Sequence, residues 1–169
     1  MRRVAVVAFA AVLTGCASTY TTTPIAPPSA KLVPSKSVLI ATPANGVYGT
    51  AVYANSGKMT ADAVRAAFMR YTGTATVLPE CRDLACLEKS QTQRYDYYIV
   101  PEILHWEDRA TEWSGIPDRL EVKLSIFDGN KKELASSVIT GKSKWATFGG
   151  DHPQDLLPEP LNKYVESLY

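Results

Sequence analysis

A strict two-residue alternation near the end of the chain constrains its fold most. Leu120, Val122, Leu124 and Ile126 alternate with Glu121, Lys123 and Ser125, and Phe127 closes the run. Such a period places the apolar set on one face of an extended chain, so residues 120–127 read as a half-buried antiparallel strand. Asp128-Gly129-Asn130 follows at once and supplies the positions of positive φ that a tight hairpin needs, and residues 134–139 return as its partner. One apolar hairpin face has to be covered, and the rest of the chain must supply the cover.

Residues 37–41 (SVLIA) form a short continuous apolar run before Pro43, as in a buried strand, and residues 45–49 are turn-like. Residues 60–71 set Ala61, Val64, Ala67, Phe68 and Tyr71 on one face, with Asp62, Arg65, Met69 and Arg70 elsewhere. That spacing predicts an amphipathic helix ending near Gly73. Residues 74–78 (TATVL) predict a second strand stopped by Pro79, and residues 82–93 a short helix with Leu84 and Leu87 inward. Residues 95–106 carry apolar side chains at both alternating positions, so their first half should be a central strand covered on both faces. A last helical stretch follows Pro153; Pro158 and Pro160 should break it early, leaving Leu161, Tyr164, Val165 and Leu168 as a docking stripe. The order β-α-β-α-β-β-β-α predicts an α/β (α+β) fold, a mixed sheet of about five strands with about three helices packed on it.

The chain opens with Arg2 and Arg3, an apolar run of about ten residues, and Leu13-Thr14-Gly15-Cys16. The run is about half the roughly 20 residues that a membrane span requires. A positive start, a short apolar core and small residues before a cysteine make a lipoprotein signal, with Cys16 as the acylated new N-terminus. Ala17 is not an aspartate, and the sorting rule known for lipoproteins that resemble this one then implies the outer membrane as the expected location, with the domain in the periplasm. Residues 17–36 are rich in Thr, Ser, Ala and Pro and predict a flexible tether. The expected organisation is therefore a signal peptide over 1–15, lipidated Cys16 and tether over 16–36, and one globular domain over 37–169.

The chain has a net charge of +1, and with Arg2 and Arg3 removed the mature part is close to −1. A nucleic-acid binder would show a strongly basic patch, so nucleic acid is not an expected partner. An exported chain meets an oxidising compartment, where the two remaining cysteines, Cys81 and Cys86, are a candidate disulfide. Their C-x4-C spacing matches neither a redox C-x-x-C pair nor a zinc set, so no metal and no cofactor is expected, and two free buried thiols stay open as the alternative.

Asn55-Ser56-Gly57-Lys58-Met59-Thr60 brushes against a phosphate-binding loop. It lacks the first glycine, where Val52 stands, and the Ser/Thr after Lys58, where Met59 stands. His105 and His152 each have acidic neighbours, but no G-x-S-x-G, H-E-x-x-H or glycine-rich dinucleotide turn accompanies them. No catalytic residue is assigned and no enzymatic activity is expected. Asp108-Arg109 and Asp118-Arg119 read as solvated strand ends or surface ion pairs. Trp106, Trp113 and Ile116 around a long loop, and Trp145 with Phe148 before Gly149-Gly150, have the composition of interaction anchors and are the candidate partner-binding residues; the alternative is that these rings cap the sheet.

YDYYIVPEILHWEDRATEW (residues 95–113), the hairpin, and SKWATFGGDHPQDLLPEP (residues 143–160) resemble a family of small proteobacterial lipoproteins known only as a domain of unknown function. More distantly, the element order leading into the DYYIV strand is similar to the domain type shared by the amino-terminal part of TolB, LpoB, CsgG and PelC. The resemblance implies location and fold and carries over no catalytic or ligand residue. The expected role is a non-enzymatic periplasmic module that is anchored in the membrane by lipid and binds an envelope protein. A ring-forming component of a secretion or polysaccharide export assembly, hence a homo-oligomer, is the first alternative. An envelope hydrolase is the second; it would need a cleft joining His105 or His152 to carboxylates.

Overall fold

The computed structural model describes residues 17–109, 116–144 and 152–169. In chain order these form β1 (Thr19–Ala26), β2 (Ser37–Ala41), β3 (Val47–Tyr48), β4 (Ala51–Val52), α1 (Ser56–Phe68), β5 (Thr74–Leu78), α2 (Leu84–Ser90), β6 (Tyr97–Glu107), β7 (Arg119–Asp128), β8 (Glu133–Lys142), a 3₁₀ turn (Pro153–Leu156) and α3 (Pro158–Leu168). Six strands make one mixed sheet in the order β1-β8-β7-β6-β2-β5. β2 lies parallel to both β5 and β6, whereas the pairs β6-β7, β7-β8 and β8-β1 are antiparallel. The fold is the predicted mixed α+β class with three helices, and its sheet has one strand more than expected.

β-strand parity sorts the side chains into two cores. Val38, Ile40, Tyr97, Ile99, Leu120, Val122, Leu124, Ile126 and Ile139 face α1 and α3, and join Val64, Phe68, Leu161 and Val165 in the main core. Leu39, Ala41 and Tyr98 face the other way and meet Leu87 of α2 and Cys81. β2 and the first half of β6 are thus covered on both faces, which is why their sequences show no alternation. Pro158 does not end the last helix but starts it. The first N–H groups of a helix have no intrahelical partner, so proline costs little there.

Residues 17–36 differ from the tether read from composition. Thr19 to Thr23 pair with β8, and the β-branched threonines that look like linker suit an edge strand. The segment after β1 is tied down too: Leu32 is buried and its N–H donates to the Leu168 carbonyl at 2.8 Å. The Ser35 N–H donates to the Tyr71 carbonyl at 2.8 Å, and the Val33 N–H to the Tyr97 hydroxyl at 3.0 Å. The two-stranded β3-β4 ladder was likewise not apparent from two-residue segments. Among the described residues no helix is long and apolar enough to cross a membrane.

Candidate functional site

The three parallel strands β2, β5 and β6 end on one edge of the sheet, where open α/β sheets place their ligand crevices. α1 begins at the same edge, and the connections carrying the predicted partner-binding aromatics leave from it. Beyond β2 and β5, a cleft of about 390 Å³ is lined by Thr42, Pro43, Asn45, Asn55, Lys58, Asp62, Val77, Pro79 and Arg82. Its charged groups are internally engaged. Lys58 pairs with Asp62 at 2.5 Å, and Arg82 Nη1 donates to the Thr42 carbonyl at 2.8 Å and the Pro79 carbonyl at 2.6 Å.

The phosphate-loop-like residues sit here as the first turn of α1, but their amides are also taken. The Ser56 N–H donates to the Tyr53 carbonyl at 3.2 Å, and the Gly57 N–H to Asn45 Oδ1 at 3.1 Å. A Cβ on Gly57 would lie 2.2 Å from the Pro43 carbonyl oxygen, so the glycine serves close backbone packing.

Beside the cleft, the end of β6 carries a polar network. Glu107 is only 5% exposed; it accepts from the Arg109 guanidinium and contacts His105 Nε2 at 2.9 Å. Arg109 also donates to the Tyr48 hydroxyl and lies 4.9 Å from the Tyr48 ring centroid, while the Tyr48 ring meets His105 edge-on at 5.4 Å. A buried carboxylate is thereby neutralised and β3 is held to β6. Asp118 is 1% exposed, its carboxylate accepts the Arg109 N–H at 2.6 Å, and its own N–H donates to Ser143 Oγ at 2.9 Å. His152 Nδ1 lies 3.3 Å from Asp108 Oδ2, fastening the 3₁₀ turn to the end of β6. Asp118 is therefore not the solvated strand end that its sequence suggests: with Glu107 it is a buried member of a network that closes the end of the sheet, whereas Arg119 stays exposed at the start of β7.

Both histidines thus meet carboxylates, yet among the described residues neither is hydrogen-bonded to a serine, threonine or cysteine side chain. No group of three or more metal-ligating side chains occurs among the described residues. Cys81 and Cys86 are joined by a disulfide, at the entry to α2.

Trp106 is corrected as a partner-binding candidate. At 1% exposure it lies in the main core, because a bulge between Ile103 and His105 advances the alternation by one residue. The bulge sends His105 to the other face and Trp106 inward opposite Leu120. Leu104, the extra residue, is left 46% exposed. Ile116 is 45% exposed, as a surface contact requires. Cys16, Trp113, Trp145 and Phe148 lie outside the described residues.

The fold is shared with solved structures. The chain is similar to a single-substitution variant of PelC from Paraburkholderia phytofirmans, crystallised as a dodecamer, with a TM-score of 0.65 at 12% identity over 89% of this chain and 98% of that one. A second PelC dodecamer from the same organism gives 0.59 at 15% identity, covering 89% and 96% of the two chains. A Xanthomonas campestris protein of the DUF330 family gives 0.51 at 15% identity, covering 83% and 92%. At these identities the likeness establishes the fold alone. No curated protein matches the chain. The profile described as Domain of unknown function (DUF4823) matches residues 30–168, spanning β2 to α3, and the chain belongs to that family.

Proposed function

We propose that this protein is a non-enzymatic envelope lipoprotein, anchored to the outer membrane through Cys16, whose periplasmic domain works by assembling with copies of itself as a ring-forming part of an export or secretion assembly. The observation that carries this reading is the fold shared with PelC over nearly its whole length, in structures that are themselves dodecamers. The polar network supports the non-enzymatic part of the reading. Its carboxylates are used to neutralise Arg109, to hold backbone N–H groups and to fasten His152, and no side-chain nucleophile stands beside either histidine among the described residues. The test is the mass of the domain in solution at several concentrations. A discrete multimer supports self-assembly, and a monomer at every concentration contradicts it.

A second reading, a monomeric adaptor for an envelope protein, is favoured by Ile116, which is exposed and stands three residues after Trp113 in the sequence. In that case Trp113→Ala with Ile116→Ala would abolish cross-linking to a partner without unfolding the domain.

A further inference from the structure

The two edges of the sheet are unlike. β1 is guarded: it contains Pro24, whose missing N–H cannot support a further strand, and a register shift between Pro24 and Ala26 twists it away. β5 has none of these devices. Its residues Thr74, Ala75, Thr76, Val77 and Leu78 include no charge and no proline, and they pair with β2 in unbroken register. An unguarded terminal strand is a template for strand addition.

Resting on the self-assembly reading, we infer that β5 is a self-association surface on which a second copy of this chain pairs antiparallel through its own β5, about a two-fold axis at Thr76; such a contact closes on itself, so it makes the pair of chains from which a larger ring is built through another surface. Thr74 then faces Leu78 of the second copy, Ala75 faces Val77, and Thr76 faces Thr76. No like charges oppose one another in that ladder, and threonine and valine are good cross-strand partners.

The helices also fit. α1 touches β2, β5 and β6 and is therefore centred near β2 rather than overhanging the edge. Across two added β5 strands the α1 helices of the two copies stand three strand spacings apart, about 14 Å, too far to clash and within reach of long side chains. Lys58 and Asp62 line the cleft beside Val77, and helical spacing carries that same stripe on through Arg65 to Met69, which is 46% exposed. With the helices antiparallel, Asp62 of one copy comes opposite Arg65 of the other, and Lys58 comes opposite Met69. The juxtaposition is complementary in charge and covers an exposed apolar side chain.

Oxidative cross-linking of the full chain in detergent micelles tests the placement. Thr76→Cys puts two thiols on the axis, where facing Cα atoms lie about 4.5 or 5.5 Å apart, a span that a disulfide bridges. Most of that variant should run as a covalent dimer on a non-reducing gel, whereas Thr21→Cys, exposed on β1, should not exceed the unsubstituted chain. Thr76→Lys sets two cations on the axis and should lower the mass in micelles to that of a smaller species, with the domain still folded by circular dichroism. An oligomeric chain that shows equal cross-linking at Thr21 and an unchanged mass with Thr76→Lys overturns the β5 placement and leaves self-assembly standing. A chain that is monomeric throughout overturns both.

Discussion

Gly46 lies so close to Trp106 that a methyl group added at Gly46 would sit 2.4 Å from the Trp106 Cβ and 3.2 Å from Ile103 Cγ2. The loop after β2 is thus pressed onto the inward-turned part of β6, and the bulge before His105 makes that contact available. Gly46→Ala forces two backbones apart and should cost about 1–3 kcal/mol. Trp106→Ala empties a large core site and should cost about 3–5 kcal/mol. Urea denaturation measures both, with Ile116→Ala as a surface control expected within about 0.5 kcal/mol of the unsubstituted chain.

The disulfide closes a short loop in front of α2. On the chain-entropy argument a loop of this size contributes about 2 kcal/mol. Replacing Cys81 and Cys86 together by Ser should lower the urea midpoint accordingly. The loss should centre on the smaller core, where Cys81 packs with Leu87 and Tyr98, so hydrogen exchange should rise over α2 before it rises over β7 and β8.

Asp96 stitches β6 to β2. Its carboxylate accepts from the Ser37 N–H at 2.9 Å, the Ser37 hydroxyl at 2.8 Å and Lys36 Nζ at 3.1 Å, and these bonds, those from Ser37 foremost, hold its pKa below the ordinary aspartate value. A carboxylate with a lowered folded pKa contributes stability that is present above its unfolded value, near 3.9, and lost as pH falls through the folded one. The group is partly solvated, so screening limits the effect to about 0.5 kcal/mol. Asp96→Asn should lower stability at pH 7, and the gap should close as the pH falls below about 4.

Tyr169 stacks on Tyr71 at 4.6 Å and buries a hydroxyl with no hydrogen-bond partner among the described residues. Burial, with Tyr97 and Tyr71 nearby, pushes its phenol up to about 12. The neutral form is favoured in the fold, so this contribution is intact below pH 10 and is lost as pH rises toward 12. Tyr169→Phe removes an unpaired polar atom and should leave stability unchanged or raise it by up to about 1 kcal/mol. In an ultraviolet titration at pH 11 it should remove only about a tenth of one tyrosine's phenolate signal from the folded chain.

The elements that can be read from the chain are those where a single physical pattern dominates. β7 and β8 show period two and a turn between them, although the residue of positive φ in that turn is Lys131 and not Gly129 or Asn130; β2 and β5 are short apolar runs ended by Pro43 and Pro79, and α1 has a clear helical stripe. β1 was hidden because an edge strand needs little apolar sequence, and four threonines with a proline read equally well as linker. Trp106 was misplaced because one inserted residue, Leu104, reverses every later side chain of β6, and sequence alone does not mark the bulge. The Glu107 and Asp118 network was illegible for a different reason. Its members come together only when β3, β6, β7 and the 3₁₀ turn meet at one edge, and adjacent opposite charges such as Asp118-Arg119 are common on surfaces.

Light scattering on a soluble chain beginning at Ala17, so that β1 and the strap carrying Leu32 are kept, decides whether the domain assembles with copies of itself. Across a hundredfold range of concentration a discrete multimer is expected that holds its mass at the upper end and dissociates toward the lower. A single mass equal to one chain across the whole range would contradict it.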